Sequence, residues 1–309
     1  MDTMSRGGHP LVDTVSVLVP SRNSARTIAE ALTSALTQQP APMEVIVVDS
    51  ESTDGTADIV AQEFPGVRLI HQEPRGPAAA RNAAAEVARG EWLAFLDADD
   101  LWLPGKLGLQ LAALASVPGL GMCSTDWVRR RGEARPVDDL SAIPLRQYAW
   151  RDFLRENRFQ TSTALVHRSH FQAVGGFCSA LDGTEDWDFW MRVARRTNDL
   201  HLGWPLVVYR DEPQSFSKKP GRVYQAMLRM LEGLGPPAGP VSPREFRRLV
   251  AWHDLRFAYA FFRQGRRRDM VAALRHGAAA SSPGTMAWVF LREFLPYLGT
   301  RGSRRLGLR

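Results

Sequence analysis

The sequence predicts an α/β fold with a mostly parallel central sheet flanked by helices, and three observations support this prediction. Continuously apolar, β-branched runs at residues 15–19 and 45–48 are typical of strands buried on both faces. These runs alternate with segments of helical periodicity, and such alternation indicates parallel strands covered on both sides. The chain has 309 residues, enough for one large domain and a smaller appendage.

The N-terminal third shows this alternation most clearly. Polar residues typical of helix starts, Asn23–Ser24 and Asp54–Thr56, precede the first two predicted helices. Residues 67–71 and 92–96 predict two further strands. The alanine-rich segment 76–89 between them predicts a third helix.

The rest of the chain is less regular. Its patterns predict, in order, a helix at 104–117, a strand at 121–124, a loop at 129–144, a strand at 161–167, a helix at 187–195 and a last strand at 206–209. Segment 213–220 is loop-like, and residues 233–243 are dense in Gly and Pro. Two or three helices are expected beyond them.

The formal net charge is +6, and basic residues crowd the C-terminal part at Arg247–Arg248, Arg266–Arg268 and 301–309. A solvated terminus explains such clusters, and so does contact with an anionic lipid or polymer. Nucleic acid is not expected as a partner, because no groove-reading motif accompanies the charge.

Two cysteines are too few for a disulfide framework and fit a reducing cytoplasm. The N-terminus lacks the apolar core of a signal peptide, and no apolar stretch is long enough to span a membrane. Segment 286–298 comes nearest, but Arg292, Glu293 and Pro296 interrupt it. Core packing is the favoured use of this segment, with an interfacial amphipathic helix as the alternative.

Three carboxylates follow the predicted strand at 92–96: Asp97, Asp99 and Asp100, with Ala98 between the first two. They repel one another unless a cation lies among them. Mg²⁺ and Mn²⁺ prefer oxygen ligands, commonly one or two carboxylates plus substrate phosphates. A helix cap would need only one aspartate, so the cluster favours a metal site.

A second acidic pair, Glu185–Asp186, stands where the helix predicted over 187–195 begins. Capping explains this placement, since carboxylates are favoured at a helix N-terminus. The alternative is a general base, with burial beside Trp187 and Trp190 raising the carboxyl pKa. The sequence leaves both interpretations open.

Polar residues also follow the first two strands. Asp49 ends a buried strand, where a carboxylate can accept from a ribose hydroxyl or a base NH, and Arg22 and Arg81 offer guanidinium groups to phosphate. Ligands of parallel sheets bind at the carboxyl ends of the strands. We therefore expect segments 20–23, 49–52 and 97–100 to share one edge.

Four motifs in sequence resemble glycosyltransferase family 2: VSVLVPSRN (15–23), VIVVDSESTDGT (45–56), AAARNAAAEVARGEWLAFLDADDLW (78–102) and GGFCSALDGTEDWDFWMRVA (175–194). The resemblance covers about residues 14–215. It implies a GT-A fold, a nucleotide-sugar donor, a divalent metal and inversion at the anomeric carbon. The pattern of elements and loops along the chain predicts a disordered tail at 1–13, a catalytic domain at 14–220 and a helical C-terminal extension with a basic tail at 221–309.

Carried over position by position, the resemblance assigns residues to four groups. The residues assigned to binding of the donor nucleotide are Pro20, Ser21, Arg22, Asn23, Asp49, Glu51, Arg81, Asp97 and Ala98. The residues assigned as ligands of the metal, Mn²⁺ or Mg²⁺, are Asp99 and Asp97, with Asp100 and Asp211 as further candidates. Asp186, beside Glu185, matches the catalytic base, and Thr161, Ser162 and Trp187 fall on the acceptor side.

The chain departs from the family pattern at two places. Ser50 stands where many members have a second aspartate that reads the nucleobase, and Glu51 follows it. No histidine follows Tyr209–Arg210, where many members have one near the metal or diphosphate. Asp211 is the candidate substitute.

The sequence thus predicts a metal-dependent inverting glycosyltransferase of glycan or glycoconjugate assembly, in the cytoplasm or at the inner face of the membrane. Its partners would be a nucleotide-sugar donor and a hydroxyl-bearing glycan, lipid-linked or small-molecule acceptor. One alternative is a metal-dependent nucleotidyltransferase, which would not obviously need Glu185–Asp186. The other is a non-catalytic nucleotide-binding module, for which Ser50 and the missing histidine are the motivation.

Overall fold

The computed structural model describes residues 13–129, 137, 139–181, 183–210 and 220–299. The chain forms two compact units. The sheet unit comprises Met1–Arg151, Arg158–Ser179 and Phe189–Asp211, and the helical unit comprises Asp152–Asn157, Ala180–Asp188 and Glu212–Arg309. Each unit is described by itself below.

The sheet unit is built on one mixed sheet. Its described strands are β1 Val15–Ser21, β2 Glu44–Asp49, β3 Arg68–His71, β4 Trp92–Phe95, β5 Leu101–Trp102, β6 Met122–Val128, β7 Leu145–Tyr148, β8 Leu165–His167 and β9 Asp199–Val208. The strand order is β3-β2-β1-β4-β8-β6-β9-β5, with β7 also paired to β9.

The direction of pairing divides the sheet into two halves. Strands β1 to β4 pair in parallel, as the sequence predicts for a doubly covered α/β sheet. β8 runs antiparallel between β4 and β6. β6 and β9 are parallel, whereas β5 and β7 are antiparallel to β9. The α/β fold class is confirmed.

The described residues form eleven α-helices. They are α1 Ile28–Leu36, α2 Thr56–Glu63, α3 Pro77–Val87, α4 Lys106–Ser116, α5 Arg168–Ala173, α6 Glu185–Ala194, α7 Pro220–Glu232, α8 Pro243–Arg263, α9 Arg267–Ser281, α10 Pro283–Val289 and α11 Leu295–Tyr297. A π-helical segment, Phe290–Phe294, joins the last two. Beyond the loop predicted at 233–243, the described residues form four α-helices, α8 to α11, more than the two or three predicted.

Buried apolar residues explain why the first helix packs against the sheet. Val17 and Val47 of adjacent strands form one core cluster with Ile28 and Leu32, whose spacing places them on the same side of α1. The start of this helix differs from the prediction. Its N-cap is Thr27, because Asn23 and Ser24 belong to the loop that precedes it.

An aromatic cluster packs against Phe95 of β4. The rings of Phe177 and Phe189 stack with centroids 4.2 Å apart, and Trp190 lies edge-on to Phe95 with centroids 5.8 Å apart. Offset and edge-to-face pairs of this kind add to the energy of burial. They anchor the second half of α6 within the sheet unit.

The helical unit has its own core and a buried polar link. Trp252, Met286 and Phe294 contribute to its apolar cluster. Tyr224 donates to Asp254 Oδ1 at 2.5 Å, and His276 Nδ1 lies 2.9 Å from Asp254 Oδ2. One carboxylate therefore joins α7, α8 and α9. No helix in the described part of the chain has the length and apolar character required to cross a membrane.

Candidate functional site

Three loops leave one edge of the sheet. They follow β1, β2 and β4, which are adjacent and parallel, so their carboxyl ends lie along the same edge. These are the segments 20–23, 49–52 and 97–100 that the sequence predicts to converge. The sheet topology confirms that they share this edge.

The loop after β2 is shaped by the carboxylate of Asp49. This side chain is 2% exposed, and it accepts from the Ser52 hydroxyl at 2.5 Å and from the Ser52 amide at 3.0 Å. The Asn23 amide donates to Ser52 Oγ at 2.8 Å, and Asn23 Oδ1 accepts from the Thr53 amide at 2.9 Å. Asp49 and Asn23 thus hold the loops after β1 and β2 together.

Asp54 strengthens the same link from the surface. Its carboxylate accepts from the Ala25 amide at 3.0 Å and from the Thr56 hydroxyl at 2.5 Å. Burial acts to raise its pKa, but the hydrogen bonds from Thr56 and Ala25 outweigh burial and lower the pKa. Glu51 is exposed and has a left-handed backbone, with φ of 51°.

Ser21 and Ser50 lie at the carboxyl ends of β1 and β2. The Ser50 amide donates to the Ser21 carbonyl at 2.9 Å, and Ser50 Oγ accepts from Gln72 Nε2 at 3.1 Å. Ser21 Oγ is buried and has no hydrogen-bond partner in the described structure. An unsatisfied buried hydroxyl costs about 1–3 kcal/mol, and a polar ligand at this edge would remove that cost. Of their neighbours, Pro20 is half-buried and Arg22 is exposed.

The loop after β4 contains Asp97, Asp99 and Asp100. Asp97 is half-buried and pairs with Arg81, whose Nη2 lies 2.6 Å from Asp97 Oδ1. Arg81 is 4% exposed and lies on α3. A buried guanidinium therefore fixes the Asp97 carboxylate. Ala98 is buried and Asp99 is half-buried.

Asp100 is the internal support of this loop. It is 1% exposed, and its oxygens accept from the Ser162 hydroxyl at 2.5 Å and from the Arg210 amide at 3.0 Å. Ser162 Oγ also accepts from the Asp97 amide at 3.0 Å. Burial raises the pKa of Asp100 well above its usual range, and the charges of Asp97 and Asp99 raise it further.

A buried lysine lies beneath the loop. Lys106 opens α4 after Gly105, which has a φ of +82°, and its ammonium lies 4.2 Å from the centre of the Trp102 ring. Its Nζ donates to Gln110 at 2.7 Å, and Trp102 Nε1 donates to the Ser162 carbonyl at 2.8 Å. Burial lowers the pKa of Lys106 to about 7.

The second predicted acidic site lies at the start of α6 and belongs to the helical unit. Asn157 Nδ2 donates to Asp186 Oδ2 at 2.8 Å, and the Trp187 amide donates to Asp186 Oδ1 at 2.6 Å. Glu185 is 7% exposed and accepts from the Gly183 amide at 2.7 Å. The helix begins at Glu185, so Asp186 lies within its first turn and is not the N-cap residue.

Three residues expected on the acceptor side have internal positions. Thr161 and Ser162 are buried in a 3₁₀ turn, where a strand had been predicted, and Ser162 clamps the loop after β4. Trp187 is 4% exposed, and its Nε1 donates to the Phe153 carbonyl at 2.5 Å. Asp211, the candidate substitute for the histidine, lies outside the described residues.

The structure adds residues to the loop after β4 that sequence reasoning did not assign to it. Arg210 acts through its backbone amide, which no side-chain pattern can reveal. Lys106 and Gln110 could have been found from the sequence. They are polar residues on a largely apolar helix, and their i and i+4 positions face the same side of it.

Oxygen-rich chemistry at the loop after β4 fits a hard divalent cation. The described residues contain no group of three or more His, Cys, Asp or Glu side chains suited to holding a metal ion. Such a result is compatible with a cation bound by one or two carboxylates plus substrate phosphates. Asp99 and Asp97 are the carboxylates of the loop that are not fully buried.

Comparisons with known proteins agree with this arrangement. The chain is 39% identical over 103 residues to the Escherichia coli UDP-Glc:alpha-D-GlcNAc-diphosphoundecaprenol beta-1,3-glucosyltransferase WfgD, a match that covers 32% of this chain and 40% of that enzyme. The chain thus matches well under two thirds of that relative's length.

Solved structures share the fold at low sequence identity. TarS of S. aureus, in complex with UDP-GlcNAc, has a TM-score of 0.66 at 19% identity, covering 95% of this chain and 92% of that one. The mannosyltransferase PcManGT of Pyrobaculum calidifontis, in complex with GDP-Man and Mn²⁺, has a TM-score of 0.60 at 23% identity, covering 97% and 86%. The predicted GT-A fold is confirmed.

Family models match most of the sheet-forming sequence. The model described as glycosyl transferase family 2 matches residues 16–175, more than half of the chain. A second model, described as glycosyltransferase like family 2, matches residues 139–248. The chain belongs to glycosyltransferase family 2.

Proposed function

We propose that this protein transfers a sugar, with inversion, from a nucleoside diphosphate donor to a hydroxyl acceptor in glycan or glycoconjugate biosynthesis. The observation that carries the proposal is the loop after β4, where Asp97, Asp99 and Asp100 crowd the ligand-binding edge of the sheet. Excess negative charge at this position suits a site that binds a cation together with a diphosphate.

The nucleoside would bind along the ends of β1 and β2. Ser21 Oγ supplies a hydroxyl with no partner in the described structure, and Asp49 and Asn23 hold the loop around it. Exposed Arg22 offers a charge for phosphate. Pro20, Glu51 and Ala98 complete the proposed donor surface. Ser50 lies beside this surface, and its hydroxyl accepts from Gln72 Nε2.

The metal would be held by Asp99, with Asp97 as the second carboxylate. Mn²⁺ or Mg²⁺ bound there would stabilise the charge that gathers on the departing diphosphate. Arg81 holds Asp97 in place by an ion pair that is itself buried. We assign Asp100 to the support of the loop and not to the metal, because its oxygens bond to Ser162 and to the Arg210 amide.

Asp186 is the proposed general base that takes the proton from the acceptor hydroxyl. Its two oxygens accept from Asn157 and from the Trp187 amide, which orients the carboxylate. Glu185 accepts a hydrogen bond from the Gly183 amide and supports the turn before the helix.

The proposed acceptors are hydroxyl-bearing glycans, lipid-linked sugars or small molecules. The free cysteines Cys123 and Cys178, the latter exposed, support a reducing cytoplasmic location.

A thermal-shift screen tests the donor and metal parts of the proposal. Nucleoside diphosphates of uridine, guanosine, thymidine, cytidine and adenosine are added to the purified protein, with and without Mn²⁺. A ligand that binds only the folded chain raises the melting temperature. At least one nucleotide should raise it more with Mn²⁺ than without. No metal-assisted shift with any of the five would contradict the proposal.

The Asp186→Asn variant tests the base. We expect kcat to fall about 10²–10⁴-fold while donor binding is retained, because the amide cannot accept the proton. Asp188→Asn, two residues along the same helix and therefore on a different face, is the matched control. Turnover unchanged in Asp186→Asn would reject this residue as the base. Donor binding without turnover by the wild-type chain would instead identify a non-catalytic module.

A further inference from the structure

Positive charge is concentrated at the C-terminal end of the molecule. Residues 220–299 contain twelve arginines, no lysine and five acidic residues, whereas residues 1–219 contain 23 basic and 28 acidic residues. Segment 220–299 therefore carries a net positive charge, whereas residues 1–219 are slightly acidic. Such asymmetry indicates an anionic partner for this segment.

The last helices of this unit expose apolar side chains to solvent. Met286, Val289 and Phe294 are buried in the core of the unit. The same stretch also exposes Trp288 at 41%, Leu291 at 61% and Leu295 at 51%. A helix that packs on a core normally presents polar residues outward. This one is apolar on both sides.

The exposed side chains lie close to one another along the helix. Trp288, Leu291 and Leu295 are exposed within eight consecutive residues of the α10–π–α11 stretch, whereas Val289 and Phe294 of the same stretch are buried. Monomeric soluble proteins seldom expose contiguous large apolar side chains without a function. These three residues thus need a partner that removes them from water.

Two arginines adjoin this apolar strip. The guanidinium of Arg248 on α8 lies 4.1 Å from the centre of the Trp288 ring, and Arg292 is exposed within the strip itself. Arg244 and Arg247 are exposed on α8. The stretch contains one acidic residue, Glu293, and its charge is offset by Arg155 at 2.8 Å. Net positive charge therefore adjoins the strip.

We propose that this basic–apolar face, formed by Trp288, Leu291, Leu295, Arg248 and Arg292, docks on the surface of an anionic lipid bilayer. Tryptophan and leucine would enter the boundary between headgroups and acyl chains, while the arginines bind lipid phosphates. This goes beyond the proposed sugar transfer and does not depend on it.

The charges favour a bilayer over a second copy of the chain. A two-fold dimer places the same patch of each subunit against itself, so two net positive patches would face each other. Repulsion between like charges opposes that contact. An anionic bilayer offers opposite charge and an apolar interior at the same surface, and it satisfies both features of the face.

Sedimentation with vesicles tests the proposal on the full chain. The probes are vesicles of phosphatidylcholine alone and of phosphatidylcholine mixed with phosphatidylglycerol. We expect the protein to sediment with the acidic vesicles and far less with the neutral ones. Added salt should weaken the binding, because the arginine contribution is screened.

Variants separate the apolar and the basic contributions. Leu291→Gln with Leu295→Gln should lower the affinity for acidic vesicles by about tenfold or more. Arg248→Gln and Arg292→Gln should each lower the affinity for acidic vesicles by about fivefold, because each arginine near an anionic surface raises the affinity by about that much. Leu36→Gln and Arg146→Gln change exposed residues of the sheet unit and should leave binding unchanged.

Two outcomes would overturn the proposal. The first is equal sedimentation with neutral and acidic vesicles, or binding that neither the double leucine variant nor the two arginine variants weaken. The second is a dimer in analytical ultracentrifugation that Leu291→Gln with Leu295→Gln converts to a monomer, which would make a second copy the occupant. Donor binding measured without vesicles reports on the transferase separately, so failure of one proposal does not imply failure of the other.

Discussion

The loops after β2 and β4 flank β1 and each carry three carboxylates, yet their electrostatics differ. In the first loop, hydroxyl and amide donors surround Asp49 and Asp54, and the pKa of Asp54 is lowered. In the second, burial raises the pKa of Asp100, and the charges of Asp97 and Asp99 raise it further. Equal numbers of acids at equivalent ends of a sheet thus build one loop whose carboxylates are stabilised by nearby donors and one loop whose carboxylates repel one another.

The difference lies in where the donors come from. The first loop draws them from its own Ser52 and Thr56 and from the neighbouring segment at Ala25. The second depends on Ser162 and Arg210, which are distant in sequence. Donors that are near in sequence can fix the shape of a loop by themselves. Donors that are distant in sequence fix it only when the rest of the sheet has formed.

The largest expected effect comes from removing one acid from each loop. Asp99→Asn should abolish the Mn²⁺-assisted part of donor binding and lower turnover by about 10³-fold, because a bound cation contributes several kcal/mol to charge stabilisation. Asp54→Asn should cost only about 1 kcal/mol of folding stability, as for a lost cap. Calorimetric titration with Mn²⁺ and a nucleoside diphosphate measures the first effect. Equal loss of metal binding in both variants would erase the contrast between the loops.

A smaller effect is expected from the serine that bonds each buried aspartate. Ser162→Ala removes a donor from Asp100 at a fully buried site, so the free energy of unfolding should fall by about 1–3 kcal/mol. Ser52→Ala removes the equivalent donor from Asp49, but Ser52 is only half-buried and water can replace it. Urea unfolding of both variants compares them. A larger loss for Ser52→Ala would contradict the assigned difference in burial.

The last expected effect is a pH dependence of stability, and it comes from the lysine beneath the second loop. Its pKa is about 7 in the folded chain and 10.5 ordinarily, so between these values the unfolded chain binds the extra proton. The free energy of unfolding should therefore rise as pH rises from 7 to 10.5, by up to about 1.4 kcal/mol per pH unit. Lys106→Met should flatten this slope. Urea unfolding across that pH range measures it, and an unchanged slope would show that Lys106 is not its source.

The positions of both loops in the fold could be predicted from the sequence. Continuous β-branched runs predicted β1 and β2, and the strand-end rule brought Asp49 and Asp97 to one edge. The elements that were missed depend on distant contacts. β5 has only the two residues Leu101–Trp102, too short for any periodicity, and it exists through pairing with β9.

Buried polar residues hid other elements. The start of β9 contains Asp199 and His201, which break the apolar pattern of a strand and are buried because Ser124 lies within hydrogen-bond distance of both. Thr161–Thr163 has strand-like composition, but Ser162 bonds to Trp102 and to Asp100, and these contacts hold a 3₁₀ turn. Local propensity could not report either set of contacts.

The position of β8 between β4 and β6 has a consequence for synthesis on the ribosome. Strands β1 to β4 can pair once Phe95 has emerged, but β4 keeps an open edge until Leu165–His167 follows. Asp100 meets Ser162 and the Arg210 amide only later still. An open edge invites pairing with other chains. We therefore expect the nascent protein to be prone to aggregation while its sheet is incomplete and its acidic loop is not yet held by Ser162 and Arg210.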